Sequence, residues 1–154
     1  MTAPIHIAVQ TEDFDITEEI SRLTSGHTDI GAIVTFTGQV RDFDDGRNLR
    51  QLTLEHYSGL AEKKLRQIAE TARDRWPLTG VTVIHKYGTL APGDQIVLVV
   101  TTAKHRQPAF DAANFLMDWL KTDAPFWKKE ITETDSRWVE ARGEDLHQKH
   151  RWGT

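Results

Sequence analysis

Pro125 is the residue that most restricts the path of this chain. Upstream of it, Phe110, Ala113, Met117 and Leu120 recur at the spacing of an amphipathic helix. Proline cannot donate the hydrogen bond that would continue that helix, and it drives Ala124 away from helical geometry. The chain is expected to turn after Lys121 and to bring Phe126, Trp127 and Lys128 back near the helix end. The stretch Met117–Glu130 holds three lysines and two tryptophans, so charge and aromatic rings are concentrated at that turn. A lysine held beside such rings is expected to be partly desolvated, which makes an amine a usable acid, base or nucleophile. The plainer reading is that cations at a helix C-terminus complement the helix dipole.

The bulk numbers exclude several classes. A chain of 154 residues predicts one domain over 1–154, with a polar tail from about 143. A net charge of −4 gives no electrostatic reason to bind nucleic acid or an anionic membrane. No apolar run approaches the ~18 residues of a membrane span, and no signal-peptide pattern opens the chain, so a cytoplasmic protein is expected. Cysteine is absent, which removes disulfides, thiolate metal sites and a cysteine nucleophile. Any sulfur chemistry must use sulfur carried by another molecule.

In chain order, Ile5, Ile7 and Val9 alternate as in an edge strand, and Asp15–Leu23 has the acidic start of a short helix. Gly31–Val40 is rich in β-branched residues and predicts a strand running into Arg41. Asp42–Asn48 predicts a polar, mobile loop, and Leu52–Tyr57 a strand. Ser58 is a candidate cap for a long helix with apolar face Ala61, Leu65, Ile68, Ala69, Ala72 and Trp76, stopped by Pro77. Val81–Tyr87 and the strongly apolar, central Gln95–Thr102 predict strands joined across the turn Pro92–Asp94. Helices and strands intermixed in this way predict an α+β fold.

Lys104-His105-Arg106 stands between that apolar strand and the helix opened by Pro108. Unpaired N–H groups and the positive dipole end make such a place an anion site, although three solvated basic residues in a loop are an equal alternative. Arg41 is a second candidate phosphate ligand. His6, His27, His56 and His85 are scattered without ligand spacing, and His147 and His150 lie in the polar tail. Residues 42–45 match a calcium loop only superficially, and no phosphate loop, dinucleotide fingerprint or nucleophile elbow is present. No metal and no resident cofactor is expected.

Several segments together resemble the large, catalytic subunit of molybdopterin synthase, the MoaE family. They are Gly31–Arg41, Leu52–Tyr57, Arg75-Trp76-Pro77, Val81–His85, Pro92–Asp94, His105-Arg106, Leu120–Glu130 and Arg137–Arg142, in order over more than two thirds of the chain. The resemblance implies an α/β-hammerhead type fold and a homodimer at the core of a heterotetramer. Each copy would bind a small ubiquitin-like (MoaD-like) sulfur carrier whose Gly-Gly tail ends in a thiocarboxylate. The substrate would be cyclic pyranopterin monophosphate (precursor Z), which receives two sulfurs as the dithiolene of molybdopterin. By position, Lys121 matches the family's essential lysine and Lys128 its second active-site lysine. Arg41, His105 and Arg106 match substrate-pocket residues, with Gln39, Val40, Lys129 and Glu130 beside them. Some relatives carry lysine at position 39, so Gln39 departs from that pattern and the resemblance carries no charge-based role over to it. Two other classes predict different behaviour: an anion-binding scaffold that docks a ubiquitin-like partner has no need of Lys121, and a Schiff-base lyase needs no partner.

Overall fold

The apolar run after the Pro92–Asp94 turn forms the strand on which one sheet is built. A computed structural model describes residues 2–44, 47–57, 59–132 and 136–139. Its first half runs β1 (Ile5–Gln10), α1 (Ile16–Thr24), β2 (Ala32–Gln39), β3 (Phe43–Asp44), β4 (Arg47–His56) and α2 (Leu60–Arg75). Then follow β5 (Leu78–Lys86), β6 (Gly88–Leu90), β7 (Gln95–Ala103), α3 (Arg106–Thr122), β8 (Phe126–Thr132) and β9 (Ser136–Val139). The fold is α+β, as its alternating pattern predicts.

The first sheet has the order β1-β5-β7-β2, with β1 parallel to β5 and the other pairs antiparallel. Strand β7 is therefore central. It reads as a continuous apolar run because both faces are covered. On one face Val81, Val83, Val97 and Val99 pack with Leu65 and Ala69 of α2 and Ala112 and Leu116 of α3. On the other, Ile84, Leu98 and Val100 pack with Phe14 and Leu23 at α1. Asp15 caps α1, its side chain accepting a hydrogen bond from the N–H of Glu18. The second sheet has the order β3-β4-β8-β9, with β6 also paired to β4. A small core of Val40, Leu52, Leu54 and Leu90, with Ile96 against it, joins the two sheets.

Three expectations need correction. Phe110 is 51% exposed, and the buried stripe of α3 is Ala109, Ala112, Ala113, Phe115 and Leu116. Position 110 is turned about 100° from Ala109, enough to leave the covered face. The expected loop 42–48 contains a hairpin stem instead, since Phe43 pairs with Asn48 and Asp44 with Arg47. Three of the four paired residues are polar, which the ladder accepts because its bonds are between backbones. The cap position of α2 is Gly59, at φ 80°, a conformation glycine adopts without steric cost. Ser58 lies outside the described residues, as do His147 and His150 of the tail.

Candidate active site

The polarity of the first sheet sorts the candidate residues into two groups. Gln39 of β2 pairs with Gln95 at the start of β7, and Ala32 pairs with Ala103 at its end. These two ends of the sheet are about 27 Å apart at strand rise. Helix α3 starts beside the far end of β7 and runs back along it. The hydroxyl of Thr101 donates to the carbonyl of Ala109 at 2.7 Å, fastening the first turn of α3 to that strand. The last turn of α3, with Lys121, is thereby returned to the end of the sheet that carries Gln39.

At that end Pro125 does what its chemistry predicts. Helix α3 stops at Thr122, and the chain re-enters as β8, antiparallel to β4, with Phe126 opposite His56 and Lys128 opposite Leu54. Alternation along a strand places Phe126 and Lys128 on the face they share with Leu54 and His56. Leu54 is 1% exposed, so this is the inward face.

His85 is the residue on which this end converges. In β5 it continues the alternation Val81, Val83, whose side chains face α2 and α3. It is buried, and its ring stacks on Phe126 with centroids 4.0 Å apart and planes 18° apart. His56 lies 5.9 Å from Phe126 and edge-on to Tyr87 at 4.3 Å. Burial pushes the His85 imidazole down from its ordinary 6.5 to about 4. A hydrogen bond to the Lys86 carbonyl opposes that shift, while the charges of Lys128 and Lys121, and then His56, add to it. Both candidate lysines therefore act on one ring. The neighbouring Lys86 is neutralised elsewhere: its ammonium lies 3.7 Å from the Asp13 carboxylate, which also accepts from Gln95 at 2.8 Å. The Asp13 carboxyl is held below its usual range, first by the N–H of Phe14 and further by Gln95 and Lys86, against the opposing effect of burial.

Lys121 is exposed, so the desolvation expected of it is not what this turn produces. Lysine's long stem carries its head into water, and the group that loses its water is His85. Lys128 is half-buried. Lys129 and Glu130 stand opposite Thr53 and Leu52 by backbone register, but their side chains, like that of Trp127, lie outside the described ones.

Gln39, Val40 and Arg41 reach the same end. Val40 is buried; its N–H donates to the Asp94 carbonyl at 2.9 Å and its carbonyl accepts from Gly93 at 2.7 Å. This exchange with the Pro92–Asp94 turn holds the backbone beside exposed Gln39 and Arg41. His105 and Arg106 are the exceptions. His105 is the N-cap of α3 and Arg106 its first residue, both exposed. Fifteen residues of unbroken helix separate Arg106 from Lys121, about 22 Å. Among the described residues, no group of His, Asp and Glu has the makings of a metal site.

A family model described as MoaE protein matches residues 9–123. The molybdopterin synthase catalytic subunit of Brucella melitensis is 50% identical over 153 residues, covering 98% of this chain and 93% of its own. The chain belongs to the MoaE family. Among solved structures, the molybdopterin biosynthesis MoaE protein of Burkholderia ambifaria superposes with a TM-score of 0.83 at 46% identity, over 97% of this chain and 99% of its own. Molybdopterin synthase from Staphylococcus aureus gives 0.76 at 33% identity, over 87% and 95%. In this member of the MoaE family, sequence reasoning singled out Lys121 and Lys128 at the Pro125 turn and gave His85 no part in it. A signal was available, because a histidine in the alternation Val81, Val83, His85 occupies a core position, where an unexplained polar group is informative.

Proposed function

We propose that this chain is the catalytic subunit of a molybdopterin synthase, working in the cytoplasm as one domain over its whole length. It transfers sulfur from the C-terminal thiocarboxylate of a small ubiquitin-like carrier to cyclic pyranopterin monophosphate, twice, to form the dithiolene of molybdopterin. The observation that carries this reading is the Pro125 turn, which returns the chain from the Lys121 end of α3 into β8 with Phe126 stacked on buried His85 and Lys128 two residues on. Kinship with proteins named as molybdopterin synthase catalytic subunits supplies the reaction, and the word subunit implies the partner.

Lys121 acts at the reacting carbon, and Lys128 stabilises developing negative charge or orients the incoming thiocarboxylate. Arg41, His105 and Arg106 hold the substrate phosphate through charge-assisted hydrogen bonds. Gln39, Val40, Lys129 and Glu130 border the pocket. The carrier's Gly-Gly tail threads to the lysines because glycine lets another backbone approach closely.

One subunit cannot assemble this site, since His105 and Arg106 stand at the far end of α3. A two-fold dimer supplies them from a second copy. Strand β2 is the outermost strand of its sheet and exposes Ile33 at 46% and Phe36 at 39%, and Phe110 of α3 adds 51%. This exposed edge strand and the apolar Phe110 of α3 supply contacts for the second copy, and two carriers complete a heterotetramer. The decisive experiment incubates the protein with precursor Z, with and without thiocarboxylated carrier, and looks for dithiolene product. Product only with the carrier supports the reading. Product without it points to a lyase, and none in either case to a scaffold.

A further inference from the structure

His85 occupies a place where β5 otherwise puts valine. It is 8% exposed and sits in register between Val9 of β1 and Val97 of β7, neither of which offers a polar partner. Its Nδ1 lies 2.8 Å from the Lys86 carbonyl oxygen. A carbonyl only accepts, so Nδ1 carries the hydrogen and the ring orientation is locked by its own strand. One face of the locked ring is laid on Phe126. Phe126 directly follows Pro125 and stands in the chain between Lys121 and Lys128.

A core-filling leucine would offer no donor to the Lys86 carbonyl and no flat surface to Phe126. A charged ring would offer both, but it would add a third cation beside two lysines. The charges bearing on His85 are Lys121 from α3, Lys128 from β8 and His56 from β4, while Lys86 is paired with Asp13. An uncharged imidazole is the side chain that meets every condition.

We propose that His85 is a positioning residue for sulfur transfer: its uncharged ring, stacked on Phe126, fixes the 122–125 turn and with it the spacing of Lys121 and Lys128. This rests on the roles of the lysines proposed above. Displacing a reacting group by about 1 Å costs on the order of 100-fold in rate, so loosening the turn must appear in kcat.

The test compares three variants with the wild type in the complete assay, with carrier and precursor Z. His85→Phe keeps a neutral stacked ring and is expected to lose no more than about 3-fold in kcat. His85→Asn keeps a donor but no ring, and Phe126→Leu removes the stack from the other side at a half-buried site that tolerates leucine. Both are expected to lose roughly 10- to 100-fold in kcat with KM values within about 3-fold. A purely structural role predicts losses that follow melting temperature whichever contact is removed, and that result overturns the proposal. Wild-type kcat in Phe126→Leu overturns it as well, even if His85→Asn does not fold. One further reading needs no turnover: the His85 ring should not titrate above pH 5 by NMR, and should begin to do so in Phe126→Leu. An ordinary midpoint in the wild type refutes an uncharged ring. A wild type inactive with a competent carrier removes the lysine roles themselves, whereas an active wild type with indifferent variants removes only the role of His85.

Discussion

The two ends of α3 are built on opposite plans. At its C-terminus, the charges of Lys121 and of Lys128 from β8 bear on His85 of β5, where the rings of His85 and His56 lie 4.0 and 5.9 Å from that of Phe126. At its N-terminus, the cap residue His105 and the first helical residue Arg106 are exposed, with no side-chain cap on the helix. The first end is assembled by the fold of one chain. The second offers charge, backbone N–H groups and a helix dipole to whatever arrives from outside. A site made from both ends must be closed by association, because about 22 Å of helix cannot be bent away.

Lys121→Ala should break the first end most severely. Removing the group proposed to act at the reacting carbon is expected to lower turnover at least about 1,000-fold. Melting temperature should hold within about 2 °C, since an exposed side chain contributes little to stability. Near-wild-type turnover would end the assignment. Deleting the carrier's last two glycines should be almost as damaging to turnover, while leaving globular docking measurable by calorimetry. Full activity with the shortened carrier would show that no tail reaches the lysines.

Subunit exchange sharpens the comparison directly. A His105→Ala, Arg106→Ala double variant and Lys121→Ala are each expected to be inactive alone. After random exchange, half the dimers carry both lesions in trans and keep one intact site of two, so roughly a quarter of wild-type activity should return. With exchange verified by mass-tagged subunits, a mixture that stays dead would place the whole site in one chain.

The ends should also differ in their response to acid. Because the folded His85 pKa is depressed, its neutral form stabilises the fold fully above its unfolded value near 6.5. That contribution is lost as pH falls toward about 4, where the unfolded chain binds one proton more than the folded one. The loss amounts to about 3 kcal/mol. It should vanish in His85→Phe and remain in a His105→Ala variant, as chemical denaturation at pH 7 and pH 4 would show. The smallest effect belongs to the far end. A side chain at Gly31 would run into the carbonyl of Lys104, so Gly31→Ala should cost about 1–3 kcal/mol and disturb the loop carrying His105. An unchanged denaturation midpoint would mean that the loop yields freely.

Local chemistry alone carried much of this. Pro125 ends a helix wherever it stands, because it lacks an N–H and crowds the preceding turn, so the return of the chain toward Lys121 was legible in the sequence. The apolar run of β7 announced a strand covered on both faces, and the acidic start of Asp15–Leu23 announced α1. The absence of cysteine determined that any sulfur chemistry must use sulfur carried by another molecule. Other features depend on residues far apart in the chain. Phe110 and Phe115 are the same residue type on the same helix, and only the sheet beneath α3 decides that one is covered and the other exposed. The 42–48 segment pairs through backbone groups, which its polar side chains do not advertise. His85 is held well below its ordinary pKa because it is buried in β5 under Phe126 of β8, and burial is a property of the assembled layers. Lys121 and His105 are neighbours of one helix in sequence, yet that rigid rod keeps them at its opposite ends.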